Sequence, residues 1–236
     1  LPISVFEYLP TGDIVIVDMG MQFPDEDMPG VDYIIPNIDY LKGKEKKIRA
    51  VIFTHGHLDH TGAATLLMEK LGNPLIIGSR LTVHMIMARQ EDYKKGSAKN
   101  LKIKLVETYD KVIPLGIFKL RLFKVTHSIM DAAGVILETP VMTVIHPGDW
   151  TLEKEKEHEV NYRALSRLKK PTILMLESLG STNTKRQVPE SEMYKNIEKL
   201  ISQAPGRIII GTFSSMVERV RVVLEMAEKY DKKVAL

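Results

Sequence analysis

The chain has 236 residues, 44% hydrophobic and 27% charged, with a formal net charge of +3 and a pI of about 8.8. That balance suits one large globular domain or two modest ones with a real core, and no apolar run approaches the roughly 20 residues of a membrane-spanning helix. Cysteine is absent, which excludes disulfides and thiolate metal sites and fits a reducing compartment.

Residues 3–9 (ISVFEYL) and 13–19 (DIVIVDM) read as two strands joined by a Pro-Thr-Gly-Asp turn. A loop rich in proline and acidic residues follows over 23–41. Residues 49–55 (RAVIFTH) read as a buried strand ending on His55. A helix is expected to start near Gly62 and run through Leu66, Leu67 and Leu71 to a stop at Gly72. Residues 74–78 read as a strand and 80–92 as a helix. Strands are expected over 101–107, 117–127, 132–139 and 141–149, the last pair turning at Thr139-Pro140. A charged helix over 153–167, a strand over 172–177 and a helix over 190–203 come next. Residues 207–213 (RIIIGTF), a helix from Ser215 and residues 232–236 (KKVAL) read as a β-α-β unit. Apolar strands alternating with helices point to a layered α/β sandwich. The lysine-rich stretches 42–49 and 93–104 are read as solvated loops. The mild positive charge is compatible with a polyanionic partner but is far from a basic tail.

The most concentrated chemistry is FTHGHLDHTG, residues 53–62, with three histidines and an aspartate in six positions. His55 and His57 are two apart on extended chain, so both imidazoles share a face. Asp59 and His60 lie past the turn and can reach a second point nearby. Neutral nitrogens with a carboxylate suit Zn²⁺, with Mn²⁺ as an alternative. A bridging carboxylate would let two ions sit about 3.5–4 Å apart, the spacing of hydrolytic two-metal sites. The bland alternative is a pH-sensitive or surface histidine cluster. HxHxDH cannot complete two coordination shells, so further donors are expected at strand ends. His127 (FKVTHS) and Asp149 (VIHPGDW) are the candidates; each could also be a plain strand terminus. His146 is read as structural or supporting, and His84 and His158 as not ligands. Asp18, ending VIVDMG, could accept an imidazole N–H and fix the tautomer of a ligand histidine, or be a turn aspartate.

THGHLDHTGA, followed by THS and PGD, resembles the metallo-β-lactamase fold, and within it the β-CASP nucleases of the ribonuclease J family. Supporting stretches are DMGMQFPDEDMPGVDYIIPNIDYL, VTHSIMDAAGVILETP, GDWTLE, STNT…VPESE and GRIIIGTFSSMVERV. They cover most of the chain. HxHxDH alone would also fit glyoxalase II, lactonases or flavodiiron-type proteins. The resemblance implies a four-layer αββα sandwich over 1–204, incomplete without a later return of the chain, and the start of a β-CASP α/β domain over 205–236. It implies two Zn²⁺ ions, with Mn²⁺ or Mg²⁺ as alternatives. His55, His57 and His127 would hold one ion, Asp59 and His60 the second, and Asp149 would bridge. Asp59, His60, Asp149 and Glu177 would carry catalysis, with Ser128, Ser214 and Ser215 contacting the RNA phosphates.

The implied activity is hydrolysis of RNA phosphodiesters, 5′–3′ exonucleolytic and endonucleolytic, by a hydroxide activated between two metals. The implied setting is the cytoplasm, with no membrane and with a homodimer in the full-length protein. Ser215 and Glu218 have capping-box spacing, and the free amides at that helix start are a further candidate phosphate contact. Two departures matter. ESLGSTN stands where the family commonly reads Asp-Ser-Thr-Asn, which loosens the carry-over to Glu177. The family also draws a later histidine onto the second metal, and none follows His158 here. The segment is therefore expected to be an N-terminal portion that binds one metal better than two and is weakly active alone. The alternatives are a small-molecule metallohydrolase of the thioesterase or lactonase type, or a non-catalytic RNA-binding module.

Overall fold

In a computed structural model of the protein, residues 3–151, 165, 168, 171–182 and 188–235 are described. Among them, ten strands form two five-stranded sheets. The first sheet orders β1 (Ser4–Tyr8), β2 (Asp13–Val17), β3 (Ile48–Ile52), β4 (Ile76–Gly78) and β5 (Ile103–Leu105), antiparallel between β1 and β2 and parallel thereafter. The second orders β10 (Thr172–Leu174), β9 (Thr143–His146), β8 (Ala133–Glu138), β7 (Phe118–Lys124) and β6 (Ile113–Leu115), antiparallel except where β9 meets β10. The helices are α1 (Leu58–Thr61), α2 (Ala64–Leu67), α3 (Arg80–Tyr93), α4 (Glu190–Gln203) and α5 (Val217–Lys229). No described helix is long and apolar enough to cross a membrane.

The run DIVIV explains the layering. All five residues of β2 are buried, and side chains alternate across a sheet. Val15 and Val17 join Ile52, Leu120, Leu122, Val135 and Leu137 between the two sheets. Ile14 and Ile16 face the other way, packing with Phe53, Leu67, Leu71, Val83 and Ile86 under α2 and α3. On the far side of the second sheet, Phe123, Ile136 and Ile145 pack with Trp150, Leu165 and Leu168. A strand buried on both faces reads as a continuous apolar run rather than an alternating one, as β2 does.

Contacts divide the chain into two compact units, Leu1–His127 with Asp131–Glu177, and Ser128–Met130 with Ser178–Leu236. The first carries both sheets. In the second, Lys229 pairs with Glu198 at 2.5 Å and Tyr230 donates to the same carboxylate at 2.9 Å, joining α5 to α4.

Several sequence expectations change. An unexpected four-residue helix, α1, holds Asp59 and His60; the helix expected from near Gly62 to Gly72 is α2, which ends already at Leu67. β6 was not expected; Pro114 sits in it without penalty because it is an edge strand. Residues 207–213 and 232–235 form no ladder among the described residues, and Ile209 is 90% exposed. β-branched runs favour strands only where a neighbour completes the ladder. Met216 takes the cap position of α5 with no side-chain cap bond. Ser215 stands one residue too early to cap it, and Glu218 accepts from Arg221 Nε at 3.1 Å. Most of the expected charged helix over 153–167, with His158, lies outside the described residues.

One of the polar ties between the sheets starts at β2. Asp13, buried at the start of β2, accepts from Arg49 Nε and from the Ile117 amide, both at 2.9 Å. Burial alone would push its carboxyl up, but the Arg49 and Ile117 hydrogen bonds and the nearby positive charge hold it below the ordinary range. A depressed folded value stabilises the fold above the unfolded pKa near 4 and loses that contribution as pH falls through the folded value. Asp13→Asn should therefore cost about 1–3 kcal/mol at pH 7, a gap to the parent that narrows below about pH 4 in urea unfolding.

Candidate metal centre

Strand direction gathers the polar residues. β2 and β3 are parallel, so Asp18 and His55 leave the first sheet at the same edge. β7 and β9 are each antiparallel to β8, so they run in one direction, and His127 and Asp149 leave the second sheet at a common edge. Backbone hydrogen bonds tie these exits together. The Ala133 amide donates to Thr54 O at 2.8 Å, joining the sheets, and the Thr151 amide donates to Thr126 O at 2.8 Å. Met19 N donates to His60 O at 2.7 Å, and Ala63 N to Met19 O at 3.0 Å, interlocking the Asp18 loop with α1.

Asp18 is fully buried with φ 61°, a left-handed backbone that aspartate tolerates better than most residues. Its Oδ1 accepts from the Thr54 amide at 2.8 Å, and its Oδ2 takes the Thr54 hydroxyl at 2.9 Å and His60 Nδ1 at 2.8 Å. The network assigns the tautomers. Thr54 Oγ1 gives its proton to Asp18, so it accepts from His55 Nδ1 at 3.0 Å. His55 and His60 then both turn Nε2 toward the cluster.

The remaining donors close around that point. His57 Nδ1 lies 3.0 Å from His55 Nε2 and 3.2 Å from His127 Nε2. His60 Nε2 lies 3.3 Å from Asp149 Oδ1 and 3.5 Å from Asp59 Oδ2, and His127 Nε2 lies 3.7 Å from Asp149 Oδ2. A tetrahedral shell with metal–nitrogen bonds of about 2.0–2.1 Å spaces its donors about 3.3 Å apart, so the spacing fits a coordination sphere. Two groups of ligand-capable atoms result, His55–His57–His127 and His55–His60–Asp149. One ring nitrogen serves one ion. With His55 in the first group, the second retains His60 and Asp149, and Asp59 is the nearest further carboxylate. Neither group includes Asp59, whose side chain is 59% exposed.

Electrostatics separates the two groups. Burial, then the neighbouring imidazoles, pushes His55 far below its ordinary value. Burial also lowers His57, and lowers His127 to about 4. Burial acts against a charged His60 too, but the hydrogen bonds and charges of Asp149 and Asp18 outweigh it and raise His60 to about 10. For Asp149, burial pushes up while His60, and then the other imidazoles, hold it below its usual value.

His146 belongs to neither donor group. Its Nδ1 accepts the Gly148 amide at 3.2 Å, steadying the loop that delivers Asp149. Gly148 has φ 69°, and a Cβ there would come within 2.9 Å of Thr54 Cβ. Glycine thus lets the Asp149 loop close on the residue that orients Asp18 and His55. Glu177 is half-buried, three residues beyond β10, and belongs to neither donor group. Ser128, Ser214 and Ser215 fall in the second compact unit. His84 is exposed on α3. The contribution that sequence reasoning missed is Thr54. Its signal was a hydroxyl residue directly before a ligand-type histidine.

A metal entering the His60–Asp149 group must displace the proton on His60 Nε2, whereas the His55–His57–His127 group is already neutral at pH 7. In zinc titrations one binding step should be flat with pH. The other should tighten about tenfold per unit between about pH 6 and pH 9, releasing one proton. A shared pH dependence for both steps would contradict this. Gly148→Ala should lower stability by about 1–3 kcal/mol and weaken metal retention, measured by thermal unfolding and chelator competition.

The model of the Metallo-beta-lactamase superfamily matches residues 2–191. Among curated proteins, the chain is 35% identical over 243 residues to Ribonuclease J of Thermus thermophilus, covering 99% of this chain and 42% of that protein. It is 30% identical over 237 residues to Ribonuclease J of a Synechocystis species, covering 98% and 36%. The chain thus spans less than half the length of these relatives. A crystal structure of a protein of unknown function from Enterococcus faecalis superposes with a TM-score of 0.62 at 16% identity, covering 94% of this chain and 59% of that one; at that identity the likeness concerns the fold alone. With the match running through both sheets and every donor at their shared edge, the chain belongs to the metallo-β-lactamase superfamily.

Proposed function

We propose that the chain is the metal-binding segment of a ribonuclease that hydrolyses RNA phosphodiester bonds, acting as a 5′–3′ exonuclease, an endonuclease or both. The observation that carries the reading is the closure of His55, His57, His60, His127 and Asp149 at coordination spacing, with two tautomers fixed by Asp18 and Thr54. The relatives named ribonuclease J support RNA as the substrate.

Phosphodiester cleavage needs an activated water and relief of charge on the phosphoryl oxygens. Divalent ions bound at this donor set would supply both as Lewis acids. A nitrogen-rich set suits Zn²⁺, and Mn²⁺ follows; Mg²⁺ prefers oxygen donors. His55, His57 and His127 would hold one ion and His60 with Asp59 the second. Asp149 would bridge, since its two oxygens face His60 and His127 separately. Asp18 keeps the His60 proton on Nδ1 and so leaves Nε2 for the metal. Asp59 has an exposed carboxylate beside His60, suited to taking a proton at Oδ2 as well as to ligation. Glu177 as an orienting acid, and Ser128, Ser214 and Ser215 as phosphate contacts, rest on the sequence resemblance.

Cleavage of a 5′-monophosphorylated RNA, with metal content measured on the same samples, tests the reading. His57→Ala and Asp59→Ala should each lose at least about a hundredfold in rate and bind less metal. Undiminished cleavage in both variants would sink it, as would hydrolysis of thioesters or lactones with no action on RNA.

A further inference from the structure

His57 is held differently from His55 and His60. His55 and His60 each have the ring nitrogen away from the cluster anchored, by Thr54 Oγ1 and by Asp18 Oδ2. Metal-ligating histidines usually have such an outer partner, which fixes the plane of the ring. No hydrogen-bond partner for His57 Nε2 is found among the described residues, so beyond its contacts with the His55 and His127 rings its placement leans on its backbone. His57 is the cap residue of α1, with φ −64° and ψ 152°. Its carbonyl oxygen collects three donors: the His60 amide at 3.1 Å, the Thr61 amide at 2.9 Å and the Thr61 hydroxyl at 2.9 Å.

The hydroxyl is itself held. Arg89, half-buried on α3, donates from Nη1 to Thr61 Oγ1 at 3.1 Å. Thr61 is buried, and a hydroxyl has one proton, which the guanidinium turns away from itself, toward the His57 carbonyl at 2.9 Å, with the Gly56 carbonyl at 3.4 Å the longer alternative. Among the described residues, Arg89 makes no ion pair. A half-buried guanidinium held, among the described residues, by a neutral hydroxyl is unusual, because buried charge is ordinarily matched by a carboxylate. Here it polarises the hydroxyl and strengthens its bond to the His57 carbonyl.

We propose that Arg89 and Thr61 are positioning residues for the metal centre: a guanidinium–hydroxyl–carbonyl relay that fixes the His57 backbone and, through it, the direction of Nδ1. The inference rests on the metal-binding reading above. It makes α3, which contributes no ligand, part of what sets the coordination geometry.

Cobalt(II) replaces zinc as a visible probe of ligand geometry. Thr61→Val keeps the shape and removes the relay. Arg89→Met removes the charge, while Arg89→Lys restores one donor. In Thr61→Val and Arg89→Met, cobalt affinity should fall about tenfold or more and the visible absorption bands should shift, with Arg89→Lys intermediate. Thr61→Ser retains the hydroxyl and should match the parent, which guards against a general folding defect. A merely structural role would lower the unfolding midpoint without moving the bands. Parent-like spectra and affinity in folded Thr61→Val and Arg89→Met would overturn the relay while leaving the metal-centre reading intact. A parent protein that binds no cobalt would overturn both.

Discussion

Strand direction is the constraint on which everything at this site depends. Five metal-capable side chains meet in a volume one or two ions wide, yet three of the elements delivering them, β3, β7 and β9, are apolar strands that cannot carry charge internally. The chain solves this by placing His55, His57, His127 and Asp149 past strand ends and His60 on the short α1 that follows β3. Parallel pairing of β2 with β3 and the two antiparallel steps from β7 to β9 bring all of those ends to one edge. The apolar layer between the sheets stays unbroken beneath them. A single backbone bond, from Ala133 to Thr54, then fixes how the two sheets' loops face each other at this edge.

Charge is distributed as unevenly as the donors. On one side stand three imidazoles that burial keeps neutral; on the other, His60 lies between two carboxylates and is held as a cation. The asymmetry follows from where each carboxylate sits. Asp18 is reached from the backbone of the first sheet, Asp149 from the second, and His60 alone lies between them. Compensation within the cluster lets so many ionisable groups share one buried place, which would otherwise be prohibitive.

Much of this was legible in the residues, and the failures have physical reasons. DIVIV, RAVIF and KLRLFK announced strands because burial on one or both faces leaves a periodic trace. HxHxDH announced a cluster because those residue types at that spacing are costly to gather. His127 and Asp149 could be named because strand ends are where such donors can stand. α1 was not expected because no Ser, Thr, Asp or Asn directly precedes it; His57 caps the helix with its backbone alone. RIIIG announced a strand from propensity, which speaks to the residue and not to whether a neighbour pairs with it. The grouping of α4 with α5 in the second compact unit is a matter of packing, which composition does not register. Arg89 was invisible, since its role depends on a hydroxyl twenty-eight residues away.

Asp18 meets two demands at once. Its left-handed backbone admits glycine, asparagine and aspartate at small cost, and its three hydrogen bonds all arrive from donors, which only an acceptor-only side chain can satisfy. Glycine meets the first demand and fails the second. Asparagine turns one acceptor into a donor facing another donor. Glutamate meets the second and is strained by the first. The overlap of the two sets has one member. Any substitution here must therefore give up either the backbone angle or a hydrogen bond, so the position is constrained by its backbone as firmly as by its charge.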